Sequence, residues 1–380
     1  MIARDEARRR DAADPLAQFR QEFAAAKSGS IYLDANSVGA MPKAAPARIE
    51  QLLLEGWVEQ RRRGWSWSDW LEQPRSLGAG LAHLIGAGPD DVLVCDNTTI
   101  NLFKLLNYAL QVARPRRTVV LERHMFPTDS YVAQGIAHAS DGKVQLRFID
   151  GPDDLEAAVR DDTAVAYLSL VDYRDSRRWD MAAVNQLART HGALTLWDLS
   201  HAAGAIAVDL AGTGADFAVG CGYKYLSGGP GAPAFLSVAS RHLGQLRMPL
   251  TGWFGHAQPF AFEPGYRAAE GIARTLVGTP PILSLAALEV GVDVMLEASI
   301  GALREKSIRQ GELFIELVEL HREHVRCDAD TRRHRARTRR HHAIRHSPRP
   351  LRHGRRRHAR SRSGHARRDA RHRMGRRAGA

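Results

Sequence analysis

Short runs of β-branched and apolar residues alternate along this chain with segments whose apolar positions recur every three to four residues. The first pattern is that of strands buried on both faces, the second that of helices laid against them. Residues 92–95, 118–122, 145–149, 164–170, 193–198, 217–220 and 234–238 qualify as strands. Between them Ile100, Phe103, Leu106 and Leu110 repeat at helical spacing, as do Leu313, Leu317 and Leu320 in a late segment. The alternation predicts an α/β fold around a mostly parallel sheet with helices on both faces. Several strands end in polar residues, on the edge where such sheets bind ligands. No internal repeat is visible.

Composition adds scale. With 380 residues, 44% of them apolar, the chain can bury a large core and divide into two or three domains. No uninterrupted apolar run reaches the roughly 18 residues of a membrane span. The start, MIARDEARRRDAADP, carries charges where a signal peptide has its apolar region, so the expected compartment is the cytoplasm, with no membrane partner. Cys95, Cys221 and Cys327 are too widely spaced for a disulfide framework or a zinc knuckle; buried reduced thiols are expected and no metal.

The net charge of +12 would point to nucleic acid if it were spread over the chain. It is not. Residues 326–380 hold 21 Arg and 3 Asp with no Lys or Glu, a balance of +18, so residues 1–325 carry −6. With almost no aliphatic residues this tail cannot offset its ordering entropy and is expected to be disordered. Arg and His without Lys read as out-of-frame translation of a GC-rich gene, not as an evolved nucleic-acid arm, so no specific nucleic-acid partner is expected.

Candidate chemistry lies in the body. In ALTLWDLSHAAGA an apolar strand ends in Asp198, with His201 three residues on; 26 residues after Asp198, in GCGYKYLSGGPGAP, Tyr223 and Lys224 follow a second strand. A lysine that forms a Schiff base must be desolvated yet able to reach an aldehyde, and a carboxylate facing a pyridine nitrogen keeps that ring an electron sink. The pair therefore points to pyridoxal phosphate. Taken singly, Asp198 also reads as a helix cap and Lys224 as a solvated turn residue. A phosphate needs donors at a helix N-terminus, which Thr98 and Thr99 offer before the Ile100 helix, although Thr98 also reads as a plain N-cap. Phe126, Pro127, Thr128 and Asp129 follow another strand: Phe126 could cover the ring and Asp129 could orient His201, or the four could be only a turn.

The blocks YLDANSVGAMP, RGWSWSDW, DNTTINLFKLL, FPTDSYVAQG, WDLSHAAGA, DFAVGCGYKYLSGGPGAPAF, GWFGHAQPFAF and GTPPILSLAALEVGVD resemble, in order and spacing, the motifs of kynureninases, from Ile31 to Leu320. The resemblance implies the type I, aspartate aminotransferase-like fold, a homodimer with active sites at its interface, and hydrolysis of L-kynurenine to anthranilate and L-alanine in tryptophan degradation; 3-hydroxykynurenine is a further candidate substrate. It implies that Lys224 holds the cofactor, that Tyr223 bonds the phosphate and serves as general acid, and that Asp198 and His201 contact the ring. Thr98, Thr99, Phe126, Pro127, Thr128, Asp129 and Ser169 match further cofactor contacts. Trp253 and Thr279 match residues lent by the partner subunit, Thr279 also reading as a cap before Pro280. Ser37 and Trp65 fall in segments lining the substrate's aromatic end, although a WSWSDW cluster also reads as interface or core.

The domains expected are an N-terminal segment at 1–50, a cofactor domain at 51–290, the start of a small C-terminal domain at 291–325 and the basic tail at 326–380. The pattern of the resemblance ends between Leu320 and Arg332, before the arginine that in such enzymes grips the substrate carboxylate, so impaired activity is expected of this chain. Two other readings compete. A cysteine desulfurase would need a mobile reactive cysteine, for which Cys327 is a poor candidate. A nucleic-acid-binding protein acting through the tail would bind in a strongly salt-dependent way and survive loss of Lys224.

Overall fold

The computed structural model describes residues 4–25, 29, 31–67 and 70–320. The expectations for 326–380, Cys327 included, lie outside these residues. Strands β1 (Val92–Val94), β2 (Thr118–Glu122), β3 (Gln145–Ile149), β4 (Thr163–Ser169), β5 (Leu194–Asp198), β6 (Phe217–Cys221) and β7 (Ala234–Val238) form one sheet in the order β1-β7-β6-β5-β4-β2-β3. From β6 to β3 all neighbours are parallel, while β7 runs antiparallel to both β6 and β1.

Burial on both faces explains the near-continuous apolar runs. Ala166, Leu168 and Trp197 point into one core; Val165, Tyr167 and Leu196, their alternates, point into the other. The helices used below are α1 (Ala45–Gln51), α2 (Gln73–Ile85), α3 (Thr98–Val112), α4 (Pro127–Ala139), α5 (Met181–Thr190), α6 (Ile282–Ala298) and α7 (Ile300–Leu320). Helices α2, α5 and α6 contribute to the first core and α3 and α4 to the second. Helix α6 packs against α1 and α2, and runs unbroken through position 290, where the sequence reading puts a domain boundary. No described helix is long and apolar enough to cross a membrane.

The stripe expected on α3 is turned. Phe103 is an exposed position, and Lys104 beside it is completely buried. Lysine looks outward-facing in a polar–apolar pattern, but here three acceptors receive its ammonium inside the fold, as described below.

Parallel β2, β4, β5 and β6 end at Glu122, Ser169, Asp198 and Cys221. Ser169 and Asp198 are direct register partners, as are Asp198 and Val219. The sheet thereby brings polar side chains to one edge, where the following loops can close over a ligand.

Candidate active site

Lys224 lies in the loop after β6 and is 7% exposed, which rules out a solvated turn residue. Its Nζ is 2.8 Å from His201 Nε2, 5.3 Å from the centre of the Phe126 ring and 5.9 Å from that of Tyr223. Burial, then the Lys224 charge, push His201 down to about 4 against the opposing pull of Asp198 and Asp172, so the imidazole is neutral near neutral pH. Tyr223 is pushed up to about 12, chiefly by burial, and keeps its phenolic proton.

Asp198 is buried at the end of β5 and accepts the Ser200 N–H at 2.8 Å, so it caps a tight turn and not a helix. Beside it Asp129 is fully buried, and neither of its carboxyl oxygens has a hydrogen-bond partner; the Tyr167 hydroxyl is likewise buried without one. Burial first, then the neighbouring Asp198 carboxylate, raise Asp129 well above the usual carboxylate range. Asp129 therefore faces Asp198 and Tyr167, and no bond joins it to His201 as the sequence reading allowed. Its tetrad is also no turn: Phe126 is the N-cap of α4, Pro127 its first residue, and Thr128 and Asp129 complete the first turn.

The start of α3 corrects another expectation. Asp96 adopts a left-handed φ of 49°, the chain emerges extended at Asn97, and Asn97 Oδ1 accepts the Ile100 N–H at 3.0 Å. Asn97, not Thr98, is the cap, which leaves the Thr98 hydroxyl uncommitted to that bond. Thr99 Oγ1 meets Thr128 Oγ1 at 3.4 Å, so the N-termini of α3 and α4 converge. Two helix starts offering N–H groups and hydroxyls to one point suit an anion.

Thr279 is not a cap either, because α6 begins only at Ile282 after Pro281. It lines a cavity of about 670 Å³ with Val38, Asp96, Asn97 and Tyr223 of its own chain. Ser37 bonds Asp34 at 2.8 Å in a turn whose next residues reach the site: Gly39 N–H donates to the Tyr223 carbonyl at 2.8 Å. A Cβ on Gly39 would stand 2.2 Å from the Lys224 carbonyl oxygen, so only glycine permits this approach. Ser169 donates to the Val171 carbonyl at 3.0 Å.

Trp65 and Trp253 go elsewhere. Trp65 packs on Trp70 and Phe254, each at 5.2 Å, at the border of the second core, in keeping with the reading of WSWSDW as core or interface. Trp253 stands 44% exposed among Phe254, Phe260 and Phe262.

Sequence reasoning missed Tyr173. Its ring meets Phe126 edge-on at 5.5 Å and tilts toward His201 at 6.3 Å. The loop that presents it is clamped: Arg174 grips both oxygens of Asp172, Arg177 pairs with Glu122, and Trp179 Nε1 donates to Glu122 at 3.2 Å. Burial opposes ionisation of Asp172, but the bonds and charge of Arg174 outweigh it and hold its pKa below the ordinary value. The signal present was the Asp and Arg alternation in DYRDSRRWD, which has no periodicity to place it.

Residues 31–344 match the family described as aminotransferase class-V. A kynureninase from Burkholderia mallei (strain SAVP1) is 48% identical over 323 residues, 84% of this chain and 77% of the relative; a kynureninase from Deinococcus radiodurans is 48% identical over 314 residues, 81% and 76%. In fold the chain is similar to a cysteine desulfurase from Thermococcus onnurineus NA1 (TM-score 0.64, 19% identity, 80% of this chain and 76% of that one). A C-DES variant with glycine covalently linked to its PLP cofactor is equally similar (TM-score 0.66, 18% identity, 79% of each). Identity of 48% over more than four-fifths of the chain is far beyond shared architecture: the chain belongs to the aminotransferase class-V family and, within it, to the kynureninases.

Proposed function

We propose that this chain hydrolyses L-kynurenine to anthranilate and L-alanine with pyridoxal phosphate, and that Lys224 carries the cofactor. The observation that carries the proposal is the meeting of Lys224 and neutral His201 with two buried acids at the sheet edge of a chain 48% identical to kynureninases.

The residues fit the group. Asp129 and Tyr167 are buried polar side chains that face each other and Asp198 without forming a well-aligned hydrogen bond, an arrangement that a polar ligand atom would complete. Asp198 offers a carboxylate to a protonated ring nitrogen, Phe126 and His201 offer faces to the ring, and Thr98, Thr99, Thr128 and the two helix starts offer donors to the phosphate. Bound there, pyridoxal phosphate supplies an electron sink for the substrate's α-carbon. Lys224 Nζ takes and returns the α-proton. Neutral His201 accepts a hydrogen bond from it and so fixes its direction. Tyr223 still holds its proton and donates it to the β-carbon as water cleaves the bond between β and γ carbons.

A second copy of the chain belongs to this proposal, with Trp253 and Thr279 as residues lent across the interface. Exposed apolar side chains support it, among them Ile31 at 85%, Phe262 at 75% and Leu33 at 69%. A desulfurase reading has less support, since the similarity to such enzymes is one of fold. The free thiols of the described residues are also buried, Cys95 being pushed up to about 11 by burial and Cys221 raised for the same reason.

The test is anthranilate fluorescence from the full chain supplied with L-kynurenine and cofactor. Activity abolished by Lys224→Ala, with borohydride trapping the cofactor on Lys224, is the expected result. Cofactor trapped on another lysine, or sulfide from cysteine in place of anthranilate, would overturn the reading.

A further inference from the structure

Lys104 is a buried charged residue, among those described, that this chemistry leaves unused. It lies on α3 with no exposed surface, yet all three of its ammonium protons have acceptors: Asp96 Oδ2 at 2.7 Å, the Thr275 carbonyl at 2.8 Å and Cys95 Sγ at 3.5 Å. A buried cation is tolerated only when it is paired and bonded in this way. Its partners are informative because they belong to different segments. Asp96 sits in the β1–α3 turn at its left-handed φ, immediately before Asn97, Thr98 and Thr99. Thr275, also fully buried, ends the helical turn Gly271–Thr275, from which the chain runs out through Leu276 to Thr279. Asp96, Asn97 and Leu276 to Pro281 line the same 670 Å³ cavity as Tyr223. One ammonium thus joins the segment bearing Thr98 and Thr99, candidate donors to this chain's phosphate, to the segment bearing Thr279, the residue proposed to be lent to the partner's, with no direct exposure to that cavity.

We propose that Lys104 is a positioning residue for phosphate recognition: through Asp96 and the Thr275 carbonyl it sets where the α3 N-terminus and the 275–279 segment stand. The inference rests on the cofactor reading above and adds a residue that touches neither cofactor nor substrate. The hydroxyls and N–H groups at Asn97 to Thr99 bind phosphate well only if their loop cannot relax, and the left-handed Asp96 is held by a charge pair from the helix behind it. Lys104→Met keeps the length and apolar stem of the side chain but leaves the Asp96 carboxylate and Thr275 carbonyl without their shared donor.

Affinities of the full chain for pyridoxal phosphate and for unphosphorylated pyridoxal, by absorbance or fluorescence titration, test this. Lys104→Met should weaken pyridoxal phosphate by about tenfold or more, the scale of one hydrogen bond to a charged group, while pyridoxal affinity stays near the wild-type value. Asp96→Asn, which keeps an oxygen acceptor for the buried lysine but removes its counter-charge, should show the same selective loss, and the double variant should lose no more than Lys104→Met alone. Equal weakening of both compounds, or of neither, in whichever of these variants folds would overturn the proposal and leave the cofactor reading standing. A wild-type chain that fails to bind pyridoxal phosphate would overturn that reading first, and this proposal with it.

Discussion

His201 and Lys224 cannot both be charged at 2.8 Å without cost, and the imidazole is the one that yields. Burial, then the lysine charge, bring His201 from its ordinary 6.5 to about 4. Nε2 then accepts from the lysine, which puts the ring proton on Nδ1. The linkage has a definite sign. Between about 4 and 6.5 the unfolded chain binds a proton at this residue that the folded chain refuses, so stability is lost as pH falls through that window and is unaffected by this group above it. His201→Gln has nothing to titrate there. Thermal midpoints of the two proteins should run parallel above pH 6.5, and the wild type's should fall relative to the variant's as the pH drops toward 4, because only the wild type refuses the proton; curves that stay parallel throughout would show that His201 is not resisting protonation in the fold.

At the scale of the element, Asn97 separates two duties that a helix start combines. Its side chain caps α3, and Asn97 itself lines the cavity. Asn97→Ala should cost about 1 kcal/mol of stability, as a lost cap does. Asn97→Asp keeps the cap and improves the match to the helix dipole, yet sets a negative charge where a phosphate is proposed to bind, so it should preserve the melting temperature and weaken pyridoxal phosphate binding. If both variants lowered affinity only in proportion to their stability, the anion role of this terminus would be excluded. The same helix marks where pattern reading stops. The strands were legible almost to the residue, because seven runs such as 118–122 and 234–238 are apolar, short and bounded by polar turns. Asp198 and Lys224 were legible because each follows such a run. Asn97 was hidden by the two threonines after it, which look equally good as caps until the left-handed φ of Asp96 decides the register. Lys104 was hidden because a charged residue on an amphipathic helix counts as outward unless its acceptors, here 171 positions away at Thr275, are known. Tyr173 depends on the Arg174, Arg177, Asp172 and Glu122 clamp, a contact between loops that leaves no period in the sequence.

At the scale of the whole molecule, charge and apolar surface act on association by different routes, and salt tells them apart. Residues 326–380 carry +18 and the remainder −6, so at low ionic strength the basic residues attract any polyanion while the net +12 sets copies of the chain against one another. Both effects fade as the Debye length falls to about 3 Å at 1 M salt. Burial of apolar surface does not fade; it is strengthened by excluded salts such as sulfate. In the helical segment Leu52–Gln60, Leu54, Trp57 and Val58 are 55%, 66% and 54% exposed and neighbour one another at helical spacing. They form the kind of patch that an interface between copies would cover. In high salt, where the basic residues are screened, sedimentation should therefore still find the proposed dimer for the wild type. Trp57→Glu should shift it toward monomer, since a carboxylate buried at an apolar contact finds no partner there. Because Trp253 and Thr279 are proposed to complete the site of the other copy, the monomer that results should also bind pyridoxal phosphate more weakly, although Trp57 is proposed to touch neither cofactor nor substrate. A Trp57→Glu protein that is monomeric but keeps full cofactor affinity would mean that each chain builds its site alone, and one that remains dimeric would move the interface to the exposed Ile31 to Leu33 or Phe262 surfaces.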